Sequence, residues 1–247
     1  YLVSTDFGAK NIERCHHWLF QGLWIGLAYG VFFAILMQFG SVVFSAFGIE
    51  KNDADHAMSY LTIMGWSLIP YMAVTVLRQY LQAFGVVKPV AFILVAANIL
   101  NALANWVLVF GRFGFPNMGV QGAAMATMIS RIFMLALGLV FIFYWQRKNA
   151  YRIWDHAALP VKKSIRKILK LGMPIGFQML LEIGAFASCT MLAGKLGAIT
   201  LSAHQIVLHI ASTTFMIPLA ISSAGAVLVA QALGEGNREL ATRRGWL

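Results

Sequence analysis

Apolar residues run along this chain in long blocks that charged side chains barely interrupt. Leu19 to Ile49 contains no Asp, Glu, Lys or Arg, and neither does His56 to Leu77. Pro89 to Gly111 and Leu196 to Gly234 are equally free of charge. The blocks are too long and too uniformly apolar for the short alternating strands of a β-barrel. A helix needs roughly 20 apolar residues to cross the hydrocarbon core of a bilayer. It also satisfies its own backbone hydrogen bonds where lipid offers no partner. The pattern therefore predicts six spanning helices, at about 18–47, 58–84, 89–110, 121–146, 173–194 and 200–230. The third and fourth are joined by Gly111-Arg-Phe-Gly-Phe-Pro116, a short turn built from helix breakers. The expected fold class is an all-α membrane protein.

Composition agrees with the pattern. Hydrophobic residues make up 60% of the chain and charged residues 11%, whereas soluble domains carry about 45–50% and about 25%. The net charge of +10 would suggest nucleic acid in a soluble protein, but its placement argues otherwise. Arg147, Lys148, Arg152, Lys162, Lys163, Arg166, Lys167 and Lys170 crowd one loop, and cytoplasmic loops collect Lys and Arg. Counting helices outward from that loop puts both chain ends and the Gly85–Lys88 turn on the same side, with Lys10, Arg14, Lys88, Arg238, Arg243 and Arg244. The opposite side carries the acidic loop Glu50-Lys-Asn-Asp-Ala-Asp55. The 147–171 loop and both termini are thus expected in the cytoplasm. Cys15 and Cys189 fall too far apart in this topology to pair, and no Cys/His spacing suits zinc. The first residue is Tyr1 rather than Met, which suggests a missing upstream part.

A weak internal repeat is visible. Leu2 to Glu13 can be laid on Leu228 to Glu239 with Leu, Val, Gly, Asn and Glu coinciding at a constant offset of 226. Parallel repeats of a six-helix half recur in transporters. In the first span Gly22, Gly26 and Gly30 share one helical face; small residues at this spacing let helices approach closely in lipid, and packing is their expected role. Pro70 and Pro218 fall inside spans, where each removes a backbone donor and tends to kink the helix.

Ionisable groups inside lipid are costly, by about 2.5–3.5 kcal/mol on insertion scales. Glu182 is the only acid within a span, with eleven uncharged residues before it and twelve after. Gln178 and Phe186 lie one turn away on the same face. A hydrogen-bonded structural role and an ion-binding role are both open to it. Asn98, Asn101 and Asn105 fall in the third span, Asn101 and Asn105 one turn apart; buried amides need partners, which a polar network or a neighbouring helix could supply. His204 and Gln205 start the last span, with His209 one turn further; interfacial hydrogen bonding and cavity lining both fit them. Arg78 and Arg131 are read as near span ends, where snorkelling to headgroups accounts for them.

The run Arg78-Gln-Tyr-Leu-Gln-Ala-Phe-Gly85 with Pro89 resembles the end of the fourth helix of MATE transporters. Asn101-Ala-Leu-Ala-Asn-Trp106, Phe110 to Pro116 and Gly119 to Ser130 are similar in order and spacing to the family's fifth and sixth helices. Gly172-Met-Pro174 followed by Glu182 resembles the seventh, and Ala203-His-Gln-Ile206, Pro218 and Gly234 the eighth. The His-Gln pair resembles the bacterial NorM-like branch. The resemblance implies a twelve-helix, two-lobed antiporter that moves organic cations outward across the bacterial inner membrane against H⁺ or Na⁺, with no cofactor. Residues 1–146 would belong to the N-terminal lobe, as family helices three to six. Residues 147–171 would be a cytoplasmic inter-lobe linker, and 172–247 the start of the C-terminal lobe, as helices seven and eight. Glu182 would bind the coupling ion, Na⁺ being one possibility, and the substrate in turn. Gln178, Asn101, Asn105, His204 and Gln205 would line the polar cavity, and the remaining helices of the full-length chain would be partners.

Three rivals were set against this expectation. A lipid-linked saccharide flippase of the same superfamily should carry several Arg or Lys in its cavity, and mid-span bases look nearly absent. An intramembrane enzyme would need an Asp-rich cluster or His-Glu-x-x-His, and neither occurs. A non-transporting structural protein would have no reason to keep an unpaired Glu in mid-helix.

Overall fold

The computed structural model describes residues 1–46, 51–149, 153 and 159–246. Its helices are α1 (Leu2–Gly8), α2 (Ile12–Gln38), α3 (Gly40–Ala46), α4 (Lys51–Ala83), α5 (Lys88–Phe110), α6 (Gly119–Lys148), α7 (Lys162–Lys195), α8 (Ala198–Gly234) and α9 (Arg238–Gly245). Six of them, α2 and α4 to α8, are long and apolar enough to cross a membrane. These are the six spans that the charge-free blocks predict.

Their ends differ from expectation. The first span starts at Ile12 rather than near 18, and breaks after Gln38 so that its tail becomes the separate α3. Lys51 to Asp55, expected as loop, forms the first turns of α4; Glu50 lies outside the described residues. Residues 162–171, expected as linker, are the first three turns of α7. Lys, Arg and Asp side chains mark where water begins, but Lys and Arg are good helix formers, so a helix runs past its apolar stretch.

The chain divides into two compact units, Ile12–Pro160 and Tyr1–Asn11 with Val161–Leu247. In the first, α2 packs on α4, α4 on α6 and α5 on α6. Lipid gives apolar side chains no incentive to associate, so close backbone approach must hold the helices. The stripe Gly22, Gly26 and Gly30 of α2 provides it, facing Val76, Met72 and Ile69 of α4. A Cβ on Gly30 would stand 3.1 Å from the Ile69 Cα. Gly122 does the same for α6, where a Cβ would lie 2.8 Å from the Leu108 carbonyl. Gly111 ends α5 at φ 66°, and a Cβ there would sit 2.8 Å from the Asn117 amide nitrogen, so only glycine fits this turn. Polar bonds add to the packing. His16 Nδ1 and the Tyr80 hydroxyl meet at 2.8 Å, both residues buried, and Gln21 Nε2 donates to the Leu159 carbonyl at 2.9 Å.

In the second unit α7 and α8 are joined through Leu196 and Gly197, and α1 and α9 pack against α8. The Asn237 side chain caps α9 by accepting from the Leu240 N–H at 2.9 Å. The α1–α8 contact gives the sequence repeat a physical meaning. A Cβ on Gly8 would collide with the Gln231 carbonyl, and a Cβ on Gly234 would collide with the Thr5 carbonyl. Gly8 and Gly234 are equivalent at the offset of 226, and so are Thr5 and Gln231. The two copies therefore cross each other reciprocally, each glycine admitting the other copy's backbone. Ser4 and Ala230, also equivalent, are both buried.

Candidate functional site

Glu182 sits near the middle of α7 and is exposed, as is Gln178 one turn before it. Pro174 lies inside the same helix. Among the described residues no group of three or more His, Cys, Asp and Glu forms a metal-ligand cluster. A Na⁺ at Glu182 would thus rely on neutral oxygens such as that of Gln178, a donor set that suits a hard cation. On α8, His204 and Gln205 are half-buried and His209 is exposed. His204 Nε2 meets the Thr190 hydroxyl at 3.3 Å, which ties the start of α8 to the end of α7. Nothing in these contacts joins the His204–Gln205 pair to Glu182.

On α5 the two asparagines predicted to face the same way do so, and they bond each other. Asn105 Nδ2 donates to the Asn101 carbonyl at 2.9 Å and to its side-chain oxygen at 3.0 Å. Asn101, but not Asn105, reaches a cavity of about 320 Å³ between α4, α5 and α6.

That cavity also holds a charged residue that the sequence reading placed near a span end. Arg131 lines it, and Arg131 is not near a helix end. It is the thirteenth residue of α6, about 18 Å along the axis from Gly119 at 1.5 Å per residue. Snorkelling therefore does not account for it. Its Nη1 donates to the Ser67 hydroxyl at 2.5 Å, and Ser67, fully buried, donates onward to the Met64 carbonyl at 2.7 Å. The guanidinium carbon lies 4.7 Å from the Tyr71 ring centroid, in a cation–π contact. Arg78 lines the same cavity, and its Nε is buried with no hydrogen-bond partner. The signal was available. Arg131 has 18 uncharged residues before it and 15 after it, a more central position than that of Glu182.

Six helices long and apolar enough to span a bilayer, with an acid central in one and a base central in another, define a polytopic α-helical membrane protein. The MatE family profile matches residues 1–107 and 174–245. The chain is 32% identical to a probable multidrug resistance protein NorM of Mesorhizobium japonicum over 99% of its own length and 53% of that protein's. It is 32% identical to the protein of the same description from Pseudomonas putida, over 96% of this chain and 51% of that one. The crystal structure of the eukaryotic MATE transporter AtDTX14 superposes with a TM-score of 0.81 at 21% identity, covering 98% of this chain and 53% of that chain. The chain belongs to the MATE family, and it spans about half the length of the curated relatives it matches.

Proposed function

We propose that this chain forms half of a two-lobed carrier that exports organic cations in exchange for H⁺ or Na⁺, with Glu182 as the coupling group. Residues 1–146 belong to one lobe and 172–247 to the other, and the 147–171 segment joins them on the cytoplasmic side of a bacterial inner membrane. In this reading the reciprocal crossing of α1 and α8 is a contact between lobes.

The observation that carries the proposal is the lone acid of α7, with no charge among the eleven residues before it or the twelve after. An isolated carboxylate at that depth is expensive unless it is used. It holds a proton or a cation, and each displaces the other. Competition for one charge is enough to couple movements in opposite directions. The NorM description of the relatives, multidrug resistance, supports organic cations as cargo. The family is one of transporters, not enzymes.

The test is Glu182→Gln in the complete carrier, which keeps size and hydrogen bonding but cannot be charged. Efflux of a fluorescent organic cation from energised cells, at matched expression, should fall to the level of cells lacking the carrier. Wild-type efflux in the Gln variant would overturn the coupling role.

A further inference from the structure

Five basic residues open α7: Lys162, Lys163, Arg166, Lys167 and Lys170. Asp155 is the only acid between Arg147 and Lys170, against eight bases, so the stretch is positive whether or not Asp155 meets one of them. The angular placement of the five on α7 says more than their number. With Lys162 set at 0°, the helical repeat puts Arg166 at about 40°, Lys170 at about 80°, Lys163 at about 100° and Lys167 at about 140°. All five thus share one face, and all five are exposed. The rest of the circumference belongs to Leu171, Ser164, Ile168, Ile165 and Leu169, of which Ser164, Ile165 and Ile168 are half-buried. The bias that orients a membrane protein counts bases in a loop and sets no angle between them. A basic face set against an apolar one is the pattern of a helical segment at a membrane surface.

Depth along the helix agrees. Between Lys170 and Lys195 the only charged residue of α7 is Glu182. Leu171 to Gly194 measures about 36 Å along the axis, enough to cross a hydrocarbon core of about 30 Å. Lys170 therefore stands at the boundary, and Lys162 is about 12 Å further out. The headgroup layer is about 5–8 Å thick, and charge is felt across about 8–10 Å of salt solution beyond it. The whole basic segment lies within reach of headgroup phosphates. Pro174 sits inside the helix and has no N–H for the Lys170 carbonyl one turn back. That missing bond puts a joint between the basic segment and the apolar span, so the segment can tilt toward the membrane plane.

We propose that the basic face of Lys162–Lys170 is a binding surface for the headgroups of anionic phospholipids in the adjoining leaflet. Clusters of four to eight Lys and Arg beside a spanning helix attract such lipids. Arg166, near the middle of the arc, supplies the planar fork that pairs with a phosphate, and the lysines surround it as point charges. The inference rests on α7 spanning the bilayer and not on the coupling role of Glu182.

The experiment uses the complete carrier in phosphatidylcholine nanodiscs, with its other accessible cysteines changed to serine. Leu169→Cys, an exposed position beside Lys170, carries a bimane dye. Quenching is compared for phosphatidylglycerol and phosphatidylcholine that bear a spin label just below the headgroup. The anionic lipid should quench about fivefold more per mole at low salt, and high salt should reduce the preference. Exchanging Lys163 with Ser164 and Lys167 with Ile168 keeps composition, charge and the bias that sets orientation, but breaks the basic face. That carrier should quench within about twofold of parity, and the milder Lys163→Gln with Lys167→Gln should fall between. Inorganic phosphate at matched ionic strength should leave the wild-type preference intact. Equal quenching by the two lipids in wild type would overturn the proposal and assign the face to water or to a protein partner. An undiminished preference in the folded exchange variant, or in the double Gln variant should the exchange prevent folding, would overturn it too. So would loss of the preference to inorganic phosphate, which would make the surface a site for the free ion. None of these readings depends on efflux through Glu182, so this inference and the coupling role fail separately.

Discussion

The bundle of α2, α4, α5 and α6 and the pair α7–α8 are built from the same kind of apolar helix, yet they are packed very differently. In the most apolar stretch of α2, 28% of residues are buried, whereas in that of α7 none are. The glycines explain how. Gly22, Gly26, Gly30, Gly65 and Gly122 all have a neighbouring helix against them, while Gly172, Gly176, Gly184 and Gly225 have nothing within 4 Å of a Cβ position. A spanning helix gains little from apolar burial, because lipid is as apolar as leucine. It associates where a notch lets a partner's backbone come close. In the bundle the notches are filled. In α7 and most of α8 they are open, and Glu182 lies on one of those uncovered helices. The exception is the reciprocal crossing of α1 on the last turns of α8, where Gly8 and Gly234 are both filled.

The comparison breaks most sharply at that crossing. Gly234→Val should separate α1 from α8, because the group it meets is the Thr5 backbone carbonyl, which has no rotamer to change. Hydrogen exchange at residues 2–8 should rise about tenfold or more, equivalent to ~1.4 kcal/mol, while the α2–α6 bundle keeps its protection. Unchanged exchange in α1 would mean that the crossing contributes no stability.

A comparable effect is expected inside the bundle. Gly122→Val places its Cβ 2.8 Å from the Leu108 carbonyl, and overpacking of this kind costs about 1–3 kcal/mol. The loss should appear as a lower melting temperature of the chain and as faster exchange in α5 and α6 together. If only α6 responded, the notch would not be what holds the two helices.

Spans were legible and helix ends were not, for one physical reason. Charge reports the boundary between lipid and water, and α7 crosses that boundary at Lys170 while remaining helical back to Lys162. The α2–α4 glycine face was legible because its spacing of four residues is itself geometric. The repeat was visible as five coincident residues, but the reciprocal crossing it produces depends on two segments 226 residues apart, which no local pattern describes. Glu182 was singled out by counting uncharged neighbours. The same count applied to Arg131 singles it out too; the snorkelling reading was applied to a residue in the middle of α6. That Asn101 and Asn105 share a face followed from helical periodicity alone, whereas the partners expected for them were a polar network or a neighbouring helix and not each other. The bond from Arg131 to Ser67, 64 residues away on α4, did not follow from periodicity.

The smallest expected effect is the most informative about α7. Gly176 lies in the middle of this helix with no atom within 4 Å of its Cβ position. In a helix interior glycine is less favourable than alanine by about 0.5–1 kcal/mol, because it loses more backbone freedom on ordering. In the chain of residues 1–247, Gly176→Ala meets no neighbour and should be neutral or slightly stabilising, within about 1 kcal/mol. In the complete carrier the expectation reverses. If Gly176 is a notch that another helix of the second lobe occupies, an added methyl group must push that helix away, and overpacking then outweighs the gain in helix propensity. The measurement is the thermal transition of four purified proteins, the short and complete forms with Gly and with Ala at 176. A change of sign between the two forms identifies this face of α7 as one built for a partner helix. If alanine stabilised both forms, the face would be turned to lipid in the carrier as well. The contrast between the bundle and α7 would then be a lasting property of α7 rather than a sign of helices that cover it.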